Sequence, residues 1–312
     1  MGPLVRRVAL APVVFVVVAT LMYAGLRFLR PDLFPGESLL GGVLHDLDRV
    51  LLHLDLGCAS QWPGCPRIHD MWLRGAAADV WLLAGAIVLG GGGGVLAGLW
   101  CAGRPHNPLA RALEALGALA YCAPVYVVGL LLLFLFNPTF GTFPVPAFFD
   151  ATPRWVSPFT DPWDWLRSLL VPWLVLGAPL GGMCLRLTVA TLRDALAEDF
   201  VRTAAAKGVS RSRVLWRHAG PPSYAATVSF VGVSVPLLVT NMVPVERVLS
   251  VPGFFRYTWR AIGHFRFNEV ALLDYTMLCA LTLSATILII VLGVLADAVL
   301  SRIDPRVRAA AF

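Results

Sequence analysis

Lysine occurs once in the 312 residues, at Lys207, and its scarcity removes a class of activities. A phosphate-binding loop needs G-x-x-x-x-G-K-[ST], and Lys207 follows Ala206, so the chain carries no such nucleotide site. H-E-x-x-H is absent, as is the G-x-S-x-G nucleophile elbow, so neither the zinc-protease nor the serine-hydrolase signature is present. The six histidines, His45, His53, His69, His106, His218 and His264, are scattered. They form no constellation with Asp or Ser of the kind a lipid-acting membrane enzyme needs. Charge is scarce overall, at 14% of residues against 58% hydrophobic, with a mean hydropathy of +0.74. Too little polar surface remains to clothe a soluble globule, so lipid must cover the rest.

Charge is also absent in a pattern. None lies in residues 8–26, 80–103, 115–149, 168–185, 219–245 or 275–296. About 30 Å of hydrocarbon at a 1.5 Å rise needs about 20 apolar residues, which predicts an all-α integral membrane protein of six spans. The spans are expected at about 8–26, 80–103, 115–136, 168–185, 219–245 and 275–296. The third is stopped near Phe136 because Asn137-Pro138 is a turn signal. Arg6 and Arg7 precede the first apolar run, but its length of about 19 residues and the lack of an A-x-A site favour a retained span over a cleaved leader.

No Asp, Glu, Lys, Arg or His falls inside those six segments. Ion-coupled carriers and proton pumps usually relay through intramembrane ionisable groups, so that class is disfavoured. The polar groups within spans are neutral: Tyr121, Ser229, Ser234, Thr240 and Asn241. Tyr121, Ser229, Ser234 and Asn241, with Glu246 at the end of the fifth span, are the candidates for lining a pathway. The commoner fate of such hydroxyls and amides is a bond to a neighbouring helix, and for Glu246 an ion pair with Arg247 or Arg256. Gly90 to Gly94 form a five-glycine run that permits close helix packing, a reading favoured over a flexible gate. Pro124, Pro172, Pro179, Pro236 and Pro244 each remove a helical hydrogen bond and invite kinks.

With the N-terminus inside, residues 1–7, 104–114, 186–218 and 297–312 are cytoplasmic and hold 14 of the 25 Lys and Arg residues. The strongest discriminator is the 186–218 loop, which carries Arg186, Arg193, Arg202, Lys207, Arg211, Arg213 and Arg217. Both ends are therefore expected in the cytoplasm, and residues 27–79 form a long external loop. Cys58 and Cys65 lie in that loop. In an oxidising exterior a short disulfide ranks first for the pair and free thiols second. A metal site with His53 and His69 ranks a distant third, because H-x4-C-x6-C-x3-H is not a zinc spacing, and no metal is assigned. Cys101, Cys122, Cys184 and Cys279 fall in or beside spans as small apolar side chains.

Glu198 to Pro221 read E-D-F-V-R-T-A-A-A-K-G-V-S-R-S-R-V-L-W-R-H-A-G-P. Helix formers with an acidic start run to Lys207, and Gly208 is a C-terminal stop. Ser210 caps a second short helix bearing Arg211, Arg213 and Arg217, with Val214 and Leu215 on an apolar side. This helix-glycine-helix element resembles the EAA loop of the permease subunits of ATP-binding-cassette importers, E-A-A-x3-G-x9-I-x-L-P. Arg202, Thr203 and Ala204 fill its first three places, Gly208 the glycine and Pro221 the final proline. His218 and Gly220 replace the apolar pair, and the D-[FY]-V-R-T-A-x-A-K-G wording is similar to peptide and nickel permeases. Asp55-Leu56-Gly57 followed by Ser60 resembles the family's D-L-G-x-S. Val245-Glu246 to Pro252-Gly253 resembles V-E-x-x-F-x-x-P-G, with Leu249 in the Phe place. Ala296-Asp297 to Asp304-Pro305-Arg306-Val307-Arg308 resembles the A-D-x-x-Y-x-x-x-D-P-R-[IV]-R ending. The chain lacks the P-G-D-P stretch after the first span, and its first loop is shorter and carries the two cysteines.

The resemblance implies a type I importer permease fold over residues 1–312, a non-catalytic half of a translocation pore in a bacterial inner membrane. It implies a second homologous permease, two cytoplasmic ATP-binding subunits that hold the ATP and magnesium, and an external solute-binding protein. Membrane lipid is the remaining partner, with no cofactor in this chain and no nucleic acid. Arg202, Thr203, Ala204, Ala205, Lys207, Gly208, Arg211 and Pro221 are the docking-loop positions, the small ones permitting close approach of the ATPase. Peptides or similar small solutes are the implied cargo. A passive channel or a membrane-embedded enzyme are the alternatives: a channel needs no docking loop, and an enzyme needs a constellation this sequence lacks.

Overall fold

The computed structural model describes residues 3–29, 38–60, 62–136, 156–199, 220–262 and 273–303, with Val201, Thr203, Lys207, Ser210, Arg213 and Val214 among those between. Among the described residues the only extended pairing is an isolated bridge between Cys58 and Arg67, and the rest of the regular structure is helical. Helix α1 (Pro3–Leu29) is followed by α2 (Leu39–His53) and α3 (Ile68–Gly85). Through a π-helical stretch, Ala86–Gly92, α3 runs on into α4 (Gly93–Ala102), giving one apolar rod of 35 residues. Helices α5 (Pro108–Cys122), α6 (Val125–Phe136), α7 (Pro162–Ala197) and α8 (Gly220–Val248) follow. A 3-10 turn, Phe255–Tyr257, then leads into α9 (Thr258–Ala261), and α10 (Tyr275–Ile303) is the last described helix. Five of these stretches are long and apolar enough to cross a membrane, and the α5–α6 pair makes a sixth if counted as one bent span.

Three boundaries differ from the sequence expectation. The third span is not straight: α5 and α6 meet at 109°. Pro124 has no N–H to continue the helix and pushes Ala123 to extended backbone (φ −76°, ψ 131°), which ends α5. The fourth expected span, 168–185, is the middle of the 36-residue α7, about 54 Å at a 1.5 Å rise, so the first twelve residues of the expected loop are helix. Arg186 ends the uncharged run without ending the backbone ladder. The expected external loop, 27–79, contains α2 and most of α3.

The chain divides into two compact units, the first built mainly from Val80–Val251. Its axis is α7, 67% of whose most apolar window is buried, and α4, α5, α8 and the π-helical stretch all pack on it. Small residues permit this. A Cβ at Gly90 would strike the Gly177 backbone (2.7 Å to its Cα), and one at Gly94 would lie 2.9 Å from Gly181 Cα and 3.0 Å from Cys184 Cβ. Gly98 faces Thr188 in the same way, and Gly182 faces the Gly117 backbone. Gly92 and Gly93 have nothing within 4 Å. The five-glycine run thus has one face that needs glycine and one that does not. At one end of α7, Trp173 donates its indole N–H to the Trp81 carbonyl (2.8 Å), and Trp165 sits edge-on to both Trp81 and Trp173.

The second unit comprises Val5–Asp79 and Pro252–Val291. Ala19, Val50 and Leu283 form its apolar centre, with Phe15, Tyr23, Leu47 and Leu56 packed around them. Arg27 forms a buried ion pair with Asp46 at 2.9 Å. In the D-L-G stretch, Asp55 accepts from the Arg49 guanidinium (2.7 Å) and from the Gly57 N–H (2.9 Å). Gly57 has φ +78°, which a side chain tolerates poorly. The Arg49 hydrogen bond, then the Gly57 N–H, hold the Asp55 carboxyl below the usual carboxylate range. Its contribution to stability is therefore present above about pH 4 and is lost as the pH falls through the lowered value. Because the side chain is half exposed, solvent screens the effect, and Asp55→Asn is expected to remove only a modest part of the acid-induced fall in melting temperature.

Cys58 and Cys65 are joined as a disulfide with their Cα atoms 5.3 Å apart. The enclosed Trp62 meets Tyr257 edge to face at 5.1 Å, and the Arg260 guanidinium lies 3.9 Å over the Trp62 ring. Alkylation is expected to label these two thiols only after reduction; labelling without reductant would contradict the bond. Asp79, fully within α3, accepts from the Phe254 N–H at 2.9 Å, and a Cβ at Gly75 would lie 2.8 Å from Phe254 Cα. Asp79→Leu leaves that buried donor unpaired and is expected to cost about 1–3 kcal/mol, read as a lower melting temperature in detergent, with Asp79→Asn costing less.

Candidate functional site

The stretch between α7 and α8 begins where α7 ends at Glu198, whose backbone is extended (ψ 148°). The Val201 N–H bonds the Glu198 carbonyl, the Thr203 hydroxyl donates to the Asp199 carbonyl at 2.9 Å, and the Lys207 N–H bonds the Thr203 carbonyl. A further turn is closed by the Val214 N–H on the Ser210 carbonyl at 3.0 Å. Val201 and Val214 are both buried, in an apolar cluster with Leu99, Cys101 and Ala102 of α4, Ala110 of α5, and Leu185, Val189, Leu192 and Ala195 of α7. Thr203, Lys207, Ser210 and Arg213 are exposed. Among its described residues the segment is therefore amphipathic: Val201 and Val214 plug into the joined ends of three helices, and Thr203, Lys207, Ser210 and Arg213 face outward.

Charge ties the same helix ends together. Arg193 of α7 bonds Glu114 of α5 at 2.7 Å, and the Arg104 guanidinium lies 4.9 Å over Trp100. Further along, the Thr188 and Thr227 hydroxyls meet at 3.2 Å, buried, and link α7 to α8. Nothing in the sequence pointed to Val201, to the Glu114–Arg193 pair or to the threonine pair, since the partners are many residues apart and periodicity does not report cross-helix contacts. Val214 was legible, because an apolar residue among arginines marks the inward side of a short helix.

Of the predicted docking-loop residues, Thr203 and Lys207 are exposed on this segment, and Pro221 lies in the first turn of α8. Arg202, Ala204, Ala205, Gly208 and Arg211 lie outside the described residues. The predicted pathway residues are not brought together on one stripe. Ser229 is on the exposed side of α8 with Val233, Pro236, Leu237 and Thr240. Ser234 and Asn241, seven residues apart, share a flank, and Ser234 bonds the Phe230 carbonyl at 2.8 Å. Glu246 is on the opposite, fully buried side, between Val245 and the helix end. Tyr121 is exposed in the last turn of α5, beside the bend. The described residues include no group of three or more His, Cys, Asp or Glu side chains placed to hold a metal ion.

Several apolar helices long enough to span, with an amphipathic segment seated on the ends of three of them, define a multi-pass membrane protein whose loop is mechanically joined to its spans. Residues 94–309 match the binding-protein-dependent transport system inner membrane component, and the chain belongs to that family, a multi-pass protein of the bacterial inner membrane. It is similar to a probable peptide ABC transporter permease protein, y4tP, of Sinorhizobium fredii, at 28% identity over 69% of this chain and 64% of the relative. It is 27% identical to the dipeptide transport system permease protein DppB of Haemophilus influenzae, over 69% of this chain and 66% of the relative. The glutathione transport system permease protein GsiC of Pectobacterium atrosepticum is 28% identical over 91% of this chain and 85% of the relative. The chain thus spans just under two-thirds of the length of y4tP and DppB.

Proposed function

We propose that this protein is one half of the translocation pore of an ATP-driven importer of peptides or similar small solutes. It pairs with a second, homologous permease, two cytoplasmic ATP-binding subunits and an external solute-binding protein. It is not itself a catalyst: ATP and magnesium belong to the partner subunits, and this chain converts their closure into movement of its spans. The observation that carries the reading is the seating of Val201 and Val214 among α4, α5 and α7. Force applied to the exposed side of that segment has a direct apolar route into three helices, which an ion channel or a membrane enzyme does not need. The peptide and glutathione permeases among its relatives support the cargo class.

In this reading Thr203, Lys207 and Arg213, with Arg202 and Arg211, face the ATPase, and both chain ends are cytoplasmic. The exposed stripe of α8 through Ser229 and Thr240 faces the second permease or the pathway, with Ser234, Asn241 and Tyr121 at its margins. Purification of the full chain from its source membranes is expected to bring down ATP-binding subunits, and vesicles holding the complex are expected to accumulate labelled peptide only with ATP. A homo-oligomer passing solute without ATP would overturn the proposal. Gly208→Asp is expected to keep the protein in the membrane while ATP hydrolysis no longer drives uptake; normal uptake by that variant contradicts the docking role.

A further inference from the structure

The contacts between the α3–α4 rod and α7 run in unequal steps on the two sides. On α7 the opposed positions are Trp173, Gly177, Gly181 and Leu185, four residues apart throughout. On the rod they are Gly85, Gly90, Gly94 and Gly98. A Cβ at Gly85 would strike the Trp173 ring, at Gly90 the Gly177 backbone and at Gly94 the Gly181 backbone, and at Gly98 it would lie 2.9 Å from the Leu185 carbonyl oxygen. The first step on the rod is therefore five residues and the next two are four. The long step falls on the π-helical stretch, whose i to i+5 rings hold one residue more than an α-turn.

Leu89 gives the physical reason for the extra residue. An unbroken α-helix continued from Gly85 would bring Leu89 to the crossing with Gly177, where even a Cβ has no room. The π-turn leaves Val88 and Leu89 exposed and delivers Gly90 to the crossing instead. The same four glycines, evenly spaced by four in a chain one residue shorter, would match α7 equally well, so packing by itself does not require the extra residue. The rod is also least held just beyond it. A Cβ at Gly91 would make only ordinary contacts, at 3.5 Å to Leu180 and 3.6 Å to Val231, and Gly92 and Gly93 meet nothing within 4 Å. Each of these glycines weakens the helix relative to alanine. On either side the rod is fixed: the Trp173 indole N–H bonds the Trp81 carbonyl before the π-turn, and Leu99, Cys101 and Ala102 form the seat of Val201 and Val214 after it.

We propose that the π-turn Ala86–Gly92 is a built-in joint, the place where α4, driven by the loop segment seated on it, turns relative to the end of α3 that Trp173 holds. The source of the drive rests on the importer reading above, whereas the joint rests on the spacing and on the unpacked glycines. A π-turn is suited to this because its surplus residue lets the backbone change course without breaking the helices on either side.

The test deletes exposed Val88 from the full chain in the assembled complex. The rod can then run as α-helix with all four glycine contacts kept. The expected product is folded, melts in detergent at or above the parent temperature and supports ATP hydrolysis, but takes up peptide about tenfold or more slowly. Deletion of Leu96, also exposed but beyond the π-turn, puts Leu99 in the place of Gly98 and is expected to leave little folded protein. Hydrogen exchange read by mass spectrometry on the unaltered chain needs neither variant nor transport: amides 86–92 are expected to exchange faster than the α3 and α4 amides on either side. In the Val88 deletion that difference is expected to shrink. Misfolding of the Val88 deletion to the same extent as the Leu96 deletion would overturn the proposal, as would normal uptake by the folded Val88 deletion or uniform exchange along the rod. Absence of ATP-driven uptake by the parent complex would count against the importer reading instead, and the deletion pair and the exchange pattern would still judge the joint.

Discussion

Gly90→Leu and Gly94→Leu are each expected to leave little or no folded protein, whereas Gly92→Leu and Gly93→Leu, in the same run, are expected to be tolerated. At Gly90 and Gly94 the obstacle to a side chain is the backbone of α7, which cannot swing aside as a rotamer can. Relief requires the helices to part along their whole contact, where Gly98 and Thr188 are also close. Overpacking costs about 1–3 kcal/mol even where neighbours adjust, against a total stability of about 5–15 kcal/mol, and α7 is the helix on which the first unit is assembled. The two costs will not add, because both side chains push on consecutive turns of α7. At Gly92 and Gly93 a side chain meets open space, and replacing glycine favours the helix. Size-exclusion elution and melting temperature in detergent check all four. Equal behaviour of the two pairs would contradict the packing described.

The second large effect is expected on coupling. Val201→Asp and Val214→Asp each put a carboxylate into the apolar cluster formed by α4, α5 and α7, where no cation among the cluster's residues can pair with it. The charged segment is expected to lift from its seat while the spans, held by glycine and tryptophan contacts elsewhere, stay assembled. Uptake should then fall by about tenfold or more, equivalent to about 1.4 kcal/mol lost from the driven step, with the ATPase subunits still hydrolysing ATP. Val201→Ala and Val214→Ala, which keep the site apolar, should give smaller losses. Parallel assays of ATP hydrolysis and peptide uptake in the assembled complex separate this outcome from simple unfolding, in which both would vanish together. Unchanged uptake in both aspartate variants would show that the segment does not transmit force through this cluster.

These residues also show how far one-dimensional information reaches. The apolar lengths of the spans follow from the thickness of hydrocarbon, and they survive in the structure as α1, the α3–α4 rod, α7, α8 and α10. The amphipathic character of the α7–α8 segment was visible as valine among arginines. Its seat was not, because Leu99, Ala110 and Leu192 are brought to Val201 only by helix packing. Hydropathy gave no warning that α7 continues past Arg186, since a helical ladder does not need apolar side chains. Nor did it place Glu246, which reads as a polar residue at a span end and lies fully buried.

By itself, then, the amino-acid sequence determined that this is a multi-span membrane protein, and which loop carries its charge and small residues. Those properties depend on composition and local order along the chain. Tertiary structure alone decided which glycines of the run are indispensable, that Asp79 holds the Phe254 backbone 175 residues away, that Asp46 turns inward to Arg27, and that Val201 and Val214 are anchors. Each of those depends on which surfaces meet across helices, and in lipid that meeting is set by shape and hydrogen bonding rather than by a hydrophobic pattern the sequence displays.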